Sequence, residues 1–201
     1  MNTWEFFYYL FVHPLFALRQ KHKPLGLSLF ILFLVVMSLV VSSAILKDFH
    51  YTPVTFSFTL IFLFLLTLIF FLLLSCIYHF ISEGLKGKGN PWGTFSSLLL
   101  STYPGIFLIP LALLFQPLHQ TGVLNFFLFQ FLIVIWIVGL QIYSLKFIYG
   151  IDSGTAVLVY FFPLIASVAF LFLLFILLFL FLFSLIGETL PSLPLLVGGK
   201  I

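Results

Sequence analysis

"EGLKGKGNPWGTFSSLLLSTYPG", residues 83–105, runs from the most polar, glycine-rich part of the chain straight into an apolar segment. Two readings compete for it. Glycines 87, 89 and 93 around Lys86 and Lys88 suggest a loop that cradles phosphate. The same residues also suit a tight connection between two membrane-spanning helices. A dinucleotide loop needs a strand before it and a helix after it, with its N–H groups aimed at phosphate. Here an uninterrupted apolar run precedes the loop. The spacing Gly87-x-Gly89-x-x-x-Gly93 misses the dinucleotide pattern by one residue, and no G-x-x-x-x-G-K-[ST] occurs. The stretch is therefore read as a connection. Gly84, Gly87 and Gly89 permit positive φ, which lets one helix end and the chain turn. Pro91 suits the first position of the next helix. Trp92 anchors that helix at the membrane–water interface.

Composition supports the membrane reading. Of 201 residues, 63% are hydrophobic and only 6% charged, and the mean hydropathy is +1.32. A soluble domain carries about a quarter charged residues. With so few, a water-facing surface cannot be built, and thirty phenylalanines point to lipid as the solvent. A helix needs about 20 apolar residues to cross the hydrocarbon layer. Five segments meet this: 27–46, 54–78, 95–115, 123–145 and 156–186. The last is longer than the bilayer requires and must tilt, bend or extend into the headgroups. No ten-residue alternation recurs, which argues against a β-barrel, and no internal repeat is visible. Ser42-Ser43-Ala44 is only vaguely like a signal-peptidase site, and four more spans follow it, so the first segment is read as a span.

Basic residues predict the orientation. With the N-terminus cytoplasmic, Arg19, Lys21, Lys23, Lys86, Lys88 and Lys146 lie inside, and only Lys47 and Lys200 outside. The C-terminus is then outside. Residues 1–26 form a cytoplasmic amphipathic and basic segment, 27–188 the membrane domain, and 189–201 a short outer tail. In the first segment Trp4, Phe7, Tyr8 and Phe11 share one helical face, which predicts a short interfacial helix on the cytoplasmic leaflet. Pro14 breaks or bends it. The cluster Arg19, Lys21 and Lys23 then faces anionic headgroups.

The third span carries Tyr103, Pro104 and Pro110 in its interior, so a kink is expected there. Pro104 leaves a carbonyl near Leu100 without its helical donor, and in lipid that group needs another partner. Span interiors carry no Asp, Glu, Lys or Arg, which argues against proton-coupled transport, ion pumping and voltage sensing. Gln130, serines and threonines are read as the only polar interior groups. His79 and Glu83 lie four residues apart at the end of span two, too few ligands to hold a metal. The other histidines, His13, His22, His50 and His119, form no motif. Cys76, alone in an apolar run, is read as a small buried hydrophobe. Asp152 or Ser153 is expected to cap the fifth span.

Several of these residues also carry a resemblance. "HPLFALRQ" in a short basic N-terminal segment, five spans, Gly87-Lys88-Gly89 entering span three, Tyr103-Pro104 within it, Trp136 in span four and "KFIYGIDSGTAVLVYFFP" at residues 146–163 resemble the Yip1-domain family of membrane proteins. Gly150, Ala156 and Pro163 take the positions of that family's last loop and fifth span. The resemblance covers nearly the whole chain. It implies an all-α, five-span fold and brings no catalytic residues. Eukaryotic members are linked to Rab GTPases and vesicle traffic through a longer N-terminal tail with an acidic-apolar motif. That motif is absent here, so GTPase binding is not carried over and the compact prokaryotic type is implied.

The expectation is thus a non-enzymatic, membrane-organising or partner-binding protein without cofactor or metal, in a bacterial cytoplasmic membrane. Its partners are membrane lipids and other membrane proteins or further copies of itself, not nucleic acid. The expected contact residues are Arg19, Lys21, Lys23, Lys86, Gly87, Lys88, Gly89 and Trp92. The rival expectation is a transporter or channel-like subunit for lipid or another apolar substrate, with the kinked third span lining the path. A membrane-embedded enzyme would have to start from His79 and Glu83.

Overall fold

A computed structural model describes residues 2–20, 23–47 and 52–189, without the side chains of 47, 119–121 and 180–189. Lys21, His22, His50 and Lys200, and the tail from 190 onward, lie outside the described residues. All described regular structure is helical. Asn2 opens α1 (Thr3–Val12), donating its backbone N–H to Glu5 Oε2 at 3.1 Å in a capping box. The chain breaks at His13, and Pro14 starts α2 (Pro14–Arg19), where its missing N–H costs nothing. Then come α3 (Leu25–Lys47), α4 (Pro53–Gly84), α5 (Pro91–Leu100), a 3₁₀ segment (Tyr103–Phe107), α6 (Leu108–Phe115), a 3₁₀ turn (Gln116–Leu118), α7 (His119–Tyr149) and α8 (Ser153–Thr189).

Five segments are long and apolar enough to cross a membrane: Leu25–Leu46, Pro53–Gly84, Pro91–Leu118, Gly122–Tyr149 and Ser153–Phe179. The protein is a multi-pass integral membrane protein. The second span does not stop at 78, because α4 continues to Gly84 and so carries His79 and Glu83 on the helix itself. At about 1.5 Å per residue its 32 residues are longer than the hydrocarbon layer is thick. Hydropathy loses sight of a helix where it leaves lipid; the backbone ladder does not end there.

The chain divides into two units, Met1–Tyr160 and Phe161–Ile201, the cut falling within α8. The second unit is the continuation of α8, apolar and with Pro163 inside the helix. The first unit is organised around the third span, in which every residue from 94 to 105 is buried. Leu98 and Leu99 pack with Leu32 of α3, Phe71 and Tyr78 of α4, and Leu145 and Tyr149 of α7. Leu100 and Tyr103 pack with Ile31, Leu140 and the N-terminal residues Phe6, Leu10, Ala17 and Leu18. Farther along, Leu108, Ala112 and Phe115 pack against Phe126 and Ile133.

That central span is not one helix. Regular α-structure stops at Leu100, passes through the 3₁₀ segment containing Tyr103 and Pro104, and resumes at Leu108. The observed rescue of the backbone is at Pro110. Pro110 lacks the N–H that would bond Ile106 four residues back. Ser38 Oγ, from α3, donates to that Ile106 carbonyl at 3.1 Å and accepts from the Ile109 N–H at 3.1 Å. One hydroxyl from a neighbouring helix thus serves both sides of the break, as an apolar solvent demands.

Two interior assignments are corrected. The buried amide of the fourth span is Gln141, only 5% exposed, and its Oε1 accepts from Tyr160 Oη at 2.7 Å; Gln130 is half-exposed. Cys76 is exposed, because α4 turns Ser75 and Tyr78 inward and leaves Cys76 on its outer face.

Candidate functional site

The connection 85–90 folds back onto the end of α7, and Tyr149 holds it there. The Tyr149 carbonyl accepts from the Lys88 N–H at 3.2 Å, while the Ser82 carbonyl accepts from the Gly87 N–H at 2.8 Å. The Tyr149 hydroxyl lies 2.7 Å from Thr94 Oγ1 and 3.2 Å from His79 Nδ1. Thr94 Oγ1 in turn donates to the Asn90 carbonyl at 3.0 Å. A carbonyl can only accept, so the chain has a direction: His79 Nδ1–H to Tyr149, Tyr149 to Thr94, Thr94 to Asn90. His79 Nε2 faces Glu83 Oε2 at 3.7 Å. His79 and Glu83 are therefore the outer end of a hydrogen-bonded clasp linking α4, α5 and α7. Among the described residues no group of three or more His, Cys, Asp or Glu side chains gathers to hold a metal.

The glycines serve a different need from the one the sequence suggests. The positive φ of the turn falls on Lys86, at 65°, and not on Gly84, Gly87 or Gly89. Gly87 and Gly89 are required by close approach. A Cβ on Gly89 would stand 2.4 Å from Tyr149 Cδ1, and one on Gly87 2.9 Å from the Ser82 carbonyl oxygen and 3.0 Å from Tyr149 Cβ. Gly150, with φ +66°, ends α7 as a left-handed C-cap just after Tyr149. Tyr149 is the residue that sequence reasoning passed over. Its signal was its place between Ile148 and Gly150 at the end of an apolar run, which alone reads as an interfacial aromatic.

The same end of the first unit receives the N-terminal helices. Phe6 and Leu10 of α1 and Ala17 and Leu18 of α2 are buried, whereas Trp4, Tyr8 and Phe11 on the aromatic face are exposed. The segment is docked on the bundle as well as amphipathic: the Phe11 ring meets Tyr103 edge-on, 5.4 Å between centroids. Docking carries Arg19 to α7, where its guanidinium carbon sits 4.3 Å above the Phe147 ring. Such a contact contributes about 0.5–1 kcal/mol at an exposed site.

Four of the predicted contact residues, Arg19, Lys23, Lys88 and Gly89, thereby come together. Arg19, Lys23 and Lys88 line one cavity of about 430 Å³ with Gly89, Asn90 and Gly93, and with Leu18, Phe147 and Ile148 as its apolar wall. The three cations come from the end of α2, the link to α3 and the glycine-rich connection. Burial pushes the Lys23 ammonium down to about 8 from its ordinary 10.5. No described carboxylate answers this charge: Glu5 caps α1, Glu83 faces His79, and Asp152 opens α8 by accepting from the Gly154 and Thr155 N–H groups at 2.9 and 3.1 Å. The start of α5 is also occupied, since Asn90 Oδ1 accepts the Gly93 N–H. Lys86 and Trp92 are exposed and do not line the cavity; Trp92 packs edge-on against Phe95. Lys146 donates to Ser153 Oγ at 2.8 Å.

A second cavity, about 680 Å³, shares Arg19 and is otherwise walled by residues of α1 and α2, among them Val12, Leu15 and Phe16, and by Tyr143. A third, about 530 Å³ and apolar, lies beside the broken span between Phe107, Pro110, Leu114 and Trp136. Compared with known proteins, the chain matches no family model, no curated protein and no solved structure.

Proposed function

We propose that this is a non-enzymatic, multi-pass membrane protein of Yip1 type that organises its membrane or holds a partner through the basic end of its bundle. Its N-terminus is cytoplasmic, its C-terminus outside, and its home a bacterial cytoplasmic membrane. The observation that carries the reading is a convergence. Two stretches nearly 70 residues apart, the N-terminal helices and the glycine-rich connection, each look like a contact surface in sequence, and Arg19, Lys23 and Lys88 from them share one cavity. Buried Asp, Glu, Lys, Arg or His side chains, which an ion-coupled transporter needs, do not occur among the described buried residues. Basic residues at this end also suit the leaflet that carries anionic lipid.

The test is extraction of the tagged protein with its surrounding lipid, without detergent, followed by identification of what co-purifies. The Lys86→Glu/Lys88→Glu double variant is expected to lose a stoichiometric partner while a topology reporter stays unchanged. Retention of every wild-type partner with unchanged topology would sink the proposed surface.

A second reading, passage of lipid or another apolar substrate, is favoured by the interrupted third span and the apolar cavity beside it. Discontinuous spans recur at transporter binding sites. It requires transport or scrambling in reconstituted vesicles, and correctly folded but silent protein would reject it.

A further inference from the structure

The cavity lined by Arg19, Lys23 and Lys88 holds three cations that no described carboxylate neutralises. Its volume of about 430 Å³ falls in the range of small-molecule sites, roughly 300–1,000 Å³. Arg19 is held over Phe147 and lines the cavity with a planar donor fork, a shape suited to phosphate oxygens. The start of α5 adds little, because Asn90 already takes the Gly93 N–H, so the side-chain cations carry the attraction. Placing three cations around one cavity raises the energy of the unliganded protein, and an anion there relieves it.

We propose that this cavity binds a phosphate-bearing anion: the headgroup phosphate of an anionic phospholipid, or a soluble phosphate ester. The second cavity favours the lipid source. It shares Arg19, and Val12, Leu15 and Phe16 give it apolar wall beyond the cationic one. A headgroup at Arg19, Lys23 and Lys88 would leave an acyl chain to run along α1 and α2. Lys23 strengthens the assignment on geometry and on charge. It is half-buried where it lines the cavity, and burial lowers its ammonium to about 8. An anion would restore its full charge.

The proposal deepens the reading of this end as a contact surface and does not depend on any protein partner. Binding by the purified chain therefore fails or succeeds separately from partner retention in the extract. The experiment is native mass spectrometry of the full chain in neutral detergent, titrated with phosphatidylglycerol, with phosphatidylcholine and with glycerol 1-phosphate. Phosphatidylglycerol is expected to bind in preference to phosphatidylcholine. Arg19→Gln and Lys88→Gln should each weaken it about fivefold, and together about 25-fold, the effect of one basic residue each near an anionic surface. Lys88→Arg should restore most of the loss. Lys86→Gln, which removes a charge from the same loop but outside the cavity, should change binding less than about twofold. Leu15→Ser should weaken phosphatidylglycerol and leave glycerol 1-phosphate alone if the ligand is a lipid. Equal binding of the two, both insensitive to Leu15→Ser, would assign the cavity to a soluble phosphate ester. The proposal is overturned if Lys86→Gln costs as much as Lys88→Gln, which would mean a diffuse field, or if the double variant binds both probes like the wild type.

Discussion

Replacing Gly89 with alanine puts a methyl carbon 2.4 Å from Tyr149 Cδ1, 2.5 Å from Cε1 and 2.9 Å from Ile148 Cγ2. None of these is ordinary contact, so either the ring or the loop must move. The ring is held by its hydroxyl on Thr94 and His79. The loop is held by the Lys88 N–H on the Tyr149 carbonyl. Overpacking of this kind costs about 1–3 kcal/mol, and loss of one tethering hydrogen bond about 1 kcal/mol more. A total near 2–4 kcal/mol at about 2–4 °C per kcal/mol for a chain of this size lowers Tm by roughly 4–16 °C. The assay is thermal unfolding of purified protein in one detergent, followed by the loss of the monodisperse peak on size exclusion. Gly84→Ala is the control, since a Cβ there meets nothing within 4 Å; it should melt no lower than the wild type. The decisive comparison is the double-mutant cycle with Tyr149→Ala. With the ring gone, Gly89→Ala should cost much less than it does in the wild type, leaving only the flexible Ile148 contact. Equal cost of Gly89→Ala in both backgrounds would refute the close-approach argument and return the glycine to a purely conformational role.

Ser38→Ala should destabilise by about 1–3 kcal/mol, because it strands the Ile106 carbonyl and Ile109 N–H in an apolar setting. Adding Pro110→Ala supplies a helical donor to Ile106, so the double variant should melt above Ser38→Ala alone in the same size-exclusion assay. The Lys23 ammonium, held near 8 against an ordinary 10.5, is a group whose charged form folding disfavours. Its penalty is complete below pH 8, shrinks as pH rises through 8 to 10.5, and is gone above. In lipid-stripped protein Lys23→Met should therefore melt above the wild type at pH 7, with the gap closing by pH 10.5. The Asp152 carboxyl sits below its ordinary range because Thr155 hydrogen-bonds it through hydroxyl and N–H. Its capping is complete above that ordinary range and is lost as pH falls through the lowered value, so the protection of the Gly154 and Thr155 amides, measured against their intrinsic exchange rates, should fall in acid, and that pH dependence of protection should vanish in Asp152→Ala.

The five spans were legible because lipid imposes a length and a composition together, and the charged residues that bound the apolar runs stand outside them. The break at Pro14 was legible too, since a missing N–H acts locally. What sequence could not reveal is whatever needs a partner from another helix. Pro110 announces a freed carbonyl but not that Ser38, more than 70 residues earlier, answers it. Gly87 and Gly89 read as flexible punctuation until Tyr149 is seen against them. The true turn residue, Lys86, has no propensity to betray it; its positive φ is set by the hydrogen bonds of the residues on either side. The cationic cavity was half legible. Arg19, Lys23 and Lys88 were each suspected, but charge clusters in sequence do not say which cations share a space, and Lys86, two residues from Lys88, does not.

The distribution of polar groups argues where function lies. The buried hydroxyls of the third span mostly satisfy themselves on their own helix: Ser97 donates to the Gly93 carbonyl, Ser101 to that of Ser97 and Thr102 to that of Leu99, each at 2.6–2.7 Å. Few hydroxyls reach across: Ser75 of the second span donates to the Pro91 carbonyl at 2.7 Å, and Ser144 Oγ lies 3.3 Å from Ser101 Oγ. Small hydroxyl residues of this kind let membrane helices approach closely without leaving polar atoms bare. Their chemistry is consumed by packing. A group that is to bind or release something must hold capacity in reserve, and along the described spans that reserve is two buried hydroxyls without a hydrogen-bond partner, Ser82 Oγ and Tyr103 Oη. The charged reserve is at one end, in three cations that no described carboxylate neutralises. If the spans were the working part, substitutions beside the broken helix, such as Trp136→Ala, would alter activity while Arg19→Gln and Lys88→Gln left it intact. If the basic end is the working part, the order of effects reverses, and the same three variants decide between the two readings in a single assay.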